Sequence, residues 1–208
     1  KNSAFNSLQE VIEQWLHALP EAAPRAACLA VAAPPCGDDV ALLNVDWQFS
    51  KSALQAQFAF AQLRCINDFE GNAYALPHLL PGDYTALRGA IDLAKPQKLA
   101  TIGPGTGLGV AAIMPVGDDV AVIEGEGGHV SFAARHADER AVLDVLQKQW
   151  GHVSAERFVS GPGLESIYHV MTGEAGKTAA EIGAAAITAE GAARDAVALM
   201  QRAFPTAL

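Results

Sequence analysis

The sequence predicts an α/β protein built as two lobes, and three observations carry that expectation. Short apolar runs bounded by Pro or Gly, of the length of buried strands, alternate with stretches whose apolar residues recur every three or four positions. One of these runs, Leu63 to Ile66, leads into Asn67-Asp68, which sets two polar side chains at the C-terminal end of a strand, where open α/β sheets bind ligands. Between the halves lies Pro77 to Lys98, where Pro77, Pro81, Gly82 and Pro96 suit an irregular crossing. The expected division is a small α/β domain over 1–77 and a large α/β domain over 78–208.

Each element follows from local pattern. Phe5, Leu8, Val11, Ile12, Trp15, Leu16 and Leu19 form one apolar stripe on a helix that stops before Pro20. Ala26 to Ala32, between Pro24 and Pro34-Pro35, reads as a buried strand, and Gly37-Asp38-Asp39 turns into a second at Val40 to Asn44. Ser50 caps a short helix reaching about Phe58, and Phe69 to Leu76 is helical. Beyond the crossing, Leu99 to Gly103, Leu108 to Met114 and Val120 to Ile123 read as strands, a hairpin followed by a third. Helices then dominate: Asp138 to Trp150 stopped by Gly151, Pro162 to Met171, and one opened by the Thr178–Glu181 capping box. A last helix, roughly Ala192 to Phe204, is expected to turn Val197, Met200 and Phe204 inward.

Composition removes whole classes of function. At 208 residues, half of them hydrophobic, the chain can bury a real core, and a net charge of −9 with 14 basic residues argues against a nucleic-acid footprint. Cys28, Cys36 and Cys65 show neither metal nor disulfide spacing, which suits reduced thiols in the cytoplasm. Apolar runs are short and interrupted, so no membrane span is expected, and the polar N-terminus does not read as a signal peptide. The chain opens at Lys1 without an initiator Met, and a preceding segment is expected.

The chemistry centres on Gly125-Glu126-Gly127-Gly128-His129-Val130, where three glycines strip the backbone around one carboxylate and one imidazole, so that a ligand can come close. A plain glycine-rich turn with an exposed Glu and His reads the same way. Asn67 and Asp68 offer a proton acceptor beside an amide that fixes a hydroxyl, and equally an ordinary Asn-Asp turn. With Glu156 added, a set of carboxylates, one amide and one imidazole suits a neutral polyol better than an anion. Gly105-Thr106-Gly107 can converge backbone N–H groups and a hydroxyl on a phosphate, or serve as a bare hairpin.

Several patterns tempt without fitting. Gly173 to Thr178 ends in Gly-Lys-Thr but lacks the first glycine and the leading strand of a nucleotide loop, so it reads as a helix stop followed by a cap. No dedicated metal site is expected from Glu126, His129, His152 and Glu156, and Ser160 is read as a helix cap.

Four stretches, in this order, resemble the bacterial glucokinases of the hexokinase and actin-like ATPase superfamily: Ile66-Asn-Asp-Phe69, Gly103-Pro-Gly-Thr-Gly-Leu-Gly109, Gly125 to Phe132, and Gly151 to Arg157 followed by Ser160-Gly-Pro-Gly-Leu164. The resemblance implies a two-lobed ribonuclease H-like (actin-like ATPase) fold, here partial, and ATP-dependent phosphorylation of glucose at its 6-hydroxyl, a step of glycolysis. By motif, Asp68 would be the general base, Asn67, Glu126, His129 and Glu156 would hold the other hydroxyls, and Gly105, Thr106 and Gly107 would form the second phosphate loop, with Asn44 a weaker sugar contact. ATP and Mg2+ would be the cofactors and glucose or a closely related hexose the partner. A homodimer is the usual assembly of what it resembles.

The family also opens with an Asp-x-Gly-Gly-Thr phosphate loop and carries a later Gly-Gly adenosine-binding stretch and terminal helix. None of these is present between Lys1 and Leu208, so the chain is expected to be truncated at both ends, leaving the strand at Ala26 to Ala32 partly unpaired. The alternative is a truncated, non-catalytic hexose-binding fragment. A regulator descended from a sugar kinase is a third reading, against which stands the lack of a helix-turn-helix pattern.

Overall fold

The computed structural model describes residues 4–20, 24–42, 45–89, 92–93, 95–188 and 190–206. The chain divides into two compact units, Lys1–Gln97 and Lys98–Leu208, each with its own core. Contacts thus group almost all of the Pro77 to Lys98 crossing with the first unit.

In the first unit, helix α1 (Leu8–Ala18) starts where the Ser7 hydroxyl accepts the Glu10 N–H at 3.2 Å and ends at extended Leu19 before Pro20. It buries Ile12, with Leu8 and Leu16 beside it. Trp15, expected on the same stripe, is 53 % exposed, because burial follows the four-residue line through positions 8, 12 and 16. Strand β1 (Ala26–Val31) runs parallel to β4 (Gln62–Asn67), Val31 opposite Asn67. No other strand among the described residues pairs with either.

Their connection holds a small antiparallel hairpin, β2 (Asp39–Ala41) and β3 (Gln48–Ser50), and helix α2 (Lys51–Gln57), capped by Ser50 as expected. The strand expected over Val40 to Asn44 is described as far as Ala41; Asn44 lies outside the described residues. Helix α3 (Asp68–Ala75) then lies close against β1: a Cβ on Gly71 would meet the Ala30 Cβ at 3.1 Å.

The second unit opens with an antiparallel meander, β5 (Leu99–Pro104), β6 (Leu108–Val116) and β7 (Asp119–Gly125), with β6 central. Helices α4 (Ala137–Trp150), α5 (Ala155–Phe158), α6 (Gly161–Thr172), α7 (Ala179–Thr188) and α8 (Ala192–Ala203) follow. Glycines stop two of them as the sequence predicts, Gly151 at φ 73° and Gly173 at φ 76°. Thr178 opens α7, its hydroxyl accepting the Glu181 N–H at 3.3 Å while the Glu181 carboxylate accepts the Thr178 N–H at 2.8 Å.

The core gathers Leu108, Leu146, Phe158, Ile167, Ile182 and Leu199, and Phe132 stacks on Phe158 with ring centroids 4.0 Å apart. Helix α8 differs from expectation by its facing: Ala196, Leu199 and Ala203 are fully buried, while Val197, Met200 and Phe204 pack half-buried on the flank. Small alanines let the helix approach closely, and the larger side chains fill the margins. Among the described residues no helix is long and apolar enough to cross a membrane.

Phe158 is fully buried, so Phe158→Ala leaves a cavity that its neighbours fill only in part. A loss of about 3–5 kcal/mol is expected in denaturant unfolding of the second unit, and a loss near zero would contradict the packing described.

Candidate functional site

The polar groups named from sequence fall into two sets, one in each unit. In the first, Asn67 ends β4 and caps α3 in the same residue: its side chain accepts the Phe69 N–H at 2.9 Å while Glu70 reaches back to the Asn67 N–H at 3.3 Å. Asp68 Oδ1 shares the Phe69 N–H, also at 2.9 Å. Glu70 is only 4 % exposed, and the Arg64 guanidinium beside it at 3.2 Å compensates the buried charge. The turn reading of the Asn-Asp pair holds, and the turn leaves Asn67 Nδ2 and Asp68 Oδ2 without a hydrogen-bond partner among the described residues. A donor and an acceptor stand side by side at the first turn of a helix, an end that favours negative charge.

The second set is organised around the start of β6. The turn Gly105-Thr106-Gly107 closes with the Gly105 N–H donating to the Gly107 carbonyl at 2.7 Å, and the Gly105 carbonyl accepts the N–H of Gly161, first residue of α6, at 2.8 Å. The Leu108 N–H goes to Glu156 Oε2 at 2.9 Å. Glu156 lies so close under the turn that a Cβ on Gly107 would collide with its carboxylate. Among the described residues the N–H groups of Thr106 and Gly107 have no acceptor, and Thr106 is exposed, so the turn keeps donors for an anion's oxygens.

From the other side, the Gly127–His129 3₁₀ turn packs on the same strand. A Cβ on Gly128 would run into the Leu108 carbonyl, and one on Gly127 would meet Val110 Cβ at 3.0 Å. These two glycines are required by the approach of one segment of chain to another, which corrects the expectation that they clear space for a ligand; Gly125 alone has open space around it. The turn presents Glu126 and His129 outward, their side chains 85 % and 59 % exposed, with Glu126 Oε2 and His129 Nε2 3.5 Å apart.

Glu156 itself rides on α5, whose Ala155 and Phe158 are wholly buried and whose first N–H groups are satisfied by Val130, at 2.8 Å, and by the Ser154 hydroxyl. Its Oε2 is taken by Leu108, while Oε1 accepts no hydrogen bond among the described residues. Glu126, His129, Glu156 and the glycine turn thus belong to one neighbourhood, with acceptors for hydroxyl groups beside donors for a phosphate. Asn67 and Asp68 belong to the first unit, and Asn44 lies outside the described residues. The role of Leu108 gave no signal in sequence, because its contribution is backbone and its partner is 48 residues away.

The remaining patterns resolve as structural. Lys177 of the Gly-Lys-Thr stretch is held by Glu174 at 3.0 Å and donates to the Tyr168 hydroxyl at 2.8 Å; the Lys177 contact, with the Tyr168 hydroxyl donating to Glu174 Oε2 at 3.0 Å, lowers the Glu174 carboxyl from its ordinary value. Ser160, 2 % exposed, caps α6 through the Gly163 N–H at 3.1 Å. Among the described residues no three His, Cys, Asp or Glu side chains cluster in a way suited to a metal ion. Two recesses, of about 610 Å³ at the opposite end of the β1–β4 pair and about 370 Å³ between α4, α6 and the Gly173–Thr178 loop, are lined by other residues.

Comparison with known proteins places these elements in a family. The family model described as Glucokinase matches residues 1–205. A glucokinase of Saccharophagus degradans is 38 % identical over 176 residues, 85 % of this chain and 54 % of that protein, and one of Tolumonas auensis is 42 % identical over 165 residues, 79 % of this chain and 50 % of that protein. The chain spans about half the length of these curated relatives. Among solved structures, a glucokinase from an Antarctic psychrotroph superposes with a TM-score of 0.79 at 36 % identity, covering 96 % of this chain and 63 % of that one. The glucose complex of Balamuthia mandrillaris glucokinase shares the fold, with a TM-score of 0.63 at 21 % identity, covering 93 % and 60 %.

The contrast among the glycines is testable. Gly128→Ala is expected to lower stability by about 1–3 kcal/mol through overpacking, and Gly125→Ala to stay within about 0.5 kcal/mol, as an open surface position should. Equal effects of the two substitutions in paired urea titrations would contradict the close approach at Leu108.

Proposed function

The chain belongs to the glucokinase family, and from that premise we propose that the full-length protein transfers the γ-phosphoryl group of ATP to the 6-hydroxyl of glucose. The observation that carries the reading is the Glu156 carboxylate, one oxygen bound to the backbone just after the glycine turn and the other free, on a helix that packs against the Gly127–His129 turn. A group that touches the phosphate turn and also offers a lone pair to a hydroxyl brings acceptor and donor substrates together, which is most of what phosphoryl transfer asks of a protein.

Asp68 is the general base. The 6-hydroxyl oxygen attacks the γ-phosphorus, the bond to the ADP oxygen breaks, and the hydroxyl proton passes to Asp68 Oδ2, the oxygen that the Phe69 N–H leaves free. Asn67 Nδ2 donates to a neighbouring sugar oxygen, and Glu126, His129 and Glu156 take the remaining hydroxyls, whose donor-and-acceptor character matches a mixed set of carboxylates, amide and imidazole. The free N–H groups of Thr106 and Gly107 and the Thr106 hydroxyl hold the phosphates. Mg2+ held by the nucleotide would supply the positive charge that offsets the phosphates, and the acidic residues named here would not be needed as its ligands.

In this reading the chain is part of the two-lobed ribonuclease H-like fold of the actin-like ATPases, with the small domain over 1–77 and the large one over 78–208. The protein acts in the cytoplasm, in glycolysis, as a homodimer.

Asp68→Asn keeps the shape of the side chain and removes the base. In the full-length protein, glucose 6-phosphate formation followed by a coupled assay should fall about 10²- to 10⁴-fold, with glucose affinity by calorimetry little changed. Turnover near that of the unsubstituted protein would remove Asp68 from this role.

A further inference from the structure

Two segments carry the sugar contacts of the second unit, Gly125 to Ser131 and Gly151 to Arg157, and very little secondary structure joins them. They meet at a single isolated bridge, Ser131 opposite Ser154, flanked by the Phe132 N–H on the Val153 carbonyl at 3.0 Å and the Ala155 N–H on the Val130 carbonyl at 2.8 Å. Glu156 follows two residues later on a helix of four residues, too short to fix its own orientation. The inward side of that helix is held by Phe158 in the core.

Its outward side is held by a chain of exposed polar contacts that the proposed chemistry does not use. Ser131 Oγ and His152 Nε2 are 3.0 Å apart, the His152 carbonyl accepts from Arg157 Nη1 at 2.8 Å, and the Arg157 guanidinium lies over the Trp150 ring, 5.1 Å from its centroid. His152 is therefore tied through its ring to the segment bearing His129 and through its carbonyl to the residue next to Glu156. Water can satisfy every one of these exposed groups, so the chain adds little to stability. Its effect is on geometry, where an error of about 1 Å in a binding group costs as much as 10²-fold.

We propose that His152, through Ser131 and Arg157, is a positioning residue that sets Glu156 against the His129 turn and so tunes hexose affinity; the link to affinity rests on the sugar-kinase reading above. His152→Ala and Ser131→Ala remove the same contact from opposite ends.

In the full-length protein, each single substitution should raise the KM for glucose about 3- to 10-fold, the cost of roughly one hydrogen bond. The turnover number, the KM for ATP and the thermal midpoint should stay close to those of the unsubstituted protein. His152→Gln, which keeps a nitrogen able to meet Ser131, should restore the KM, and the double substitution should be no worse than either single one. In parallel, the Leu108 amide resonance reports the Glu156 carboxylate directly and should shift in His152→Ala and return in His152→Gln. An unchanged glucose KM, additive effects in the double substitution, or a Leu108 resonance that does not move would each overturn the proposal. A full-length protein inactive on every hexose would instead overturn the functional reading, and the Leu108 resonance would still decide the positioning link.

Discussion

One residue of backbone, Leu108, constrains the whole second half of the site. Its N–H is taken by the Glu156 carboxylate, its carbonyl leaves no room for a side chain on Gly128, and the glycine turn that precedes it is pinned by its own carbonyl to the start of α6. Two segments far from it in sequence, around Gly128 and Glu156, thereby meet at the first residue of a central strand. Leu108 pairs with Pro104 of β5, and pairing with β7 begins two residues on, at Val110 opposite Gly125, so these groups rest on the end of the central strand. Groups carried on regular elements hold their geometry better than groups on free loops.

The first unit solves a similar problem with fewer parts. Asn67 serves at once as the end of a parallel strand, the cap of a helix and a candidate ligand contact, and the buried Glu70 with its Arg64 partner locks the cap. The absence of a side chain at Gly71 lets α3 lie close on β1, so the carboxylate of Asp68 starts from a rigid corner. In both units polar capacity is left over after the backbone's own demands are met: one oxygen of Asp68, one of Glu156, the amide nitrogen of Asn67. Structural and functional readings of such residues do not compete. A capping side chain has more hydrogen-bonding capacity than the cap consumes.

Local chemistry made much of this legible in advance. Ser50, Thr178 with Glu181, Gly151 and Gly173 mark helix ends by mechanisms that act within a few residues, and the strand leading into Asn67 is bounded by its own composition. The three-residue strand β3 carries no period long enough to recognise, and it exists only because β2 is there to pair with it. Trp15 and the flank of α8 show the same limit: an apolar pattern names the helix and approximates its face, but the neighbours decide which line of residues goes deepest. The glycines at 127 and 128 were read for openness and serve closeness, since both uses require a missing Cβ and sequence does not distinguish what fills the space. The contacts of Glu156 with Leu108 and of Ser131 with His152 join residues 48 and 21 positions apart, so no local window contains them.

The central claim is that the free oxygen of Asp68 and the acceptors gathered around Leu108 act on one uncharged sugar. The most direct measurement is a crystal structure of the full-length protein with glucose bound. The account predicts the Asp68 carboxylate within hydrogen-bond reach, about 2.6–3.2 Å, of the 6-hydroxyl oxygen, with Glu126, His129 and Glu156 on the other hydroxyls. Glucose held by groups of one unit only, or with Asp68 out of reach of that oxygen, would contradict it.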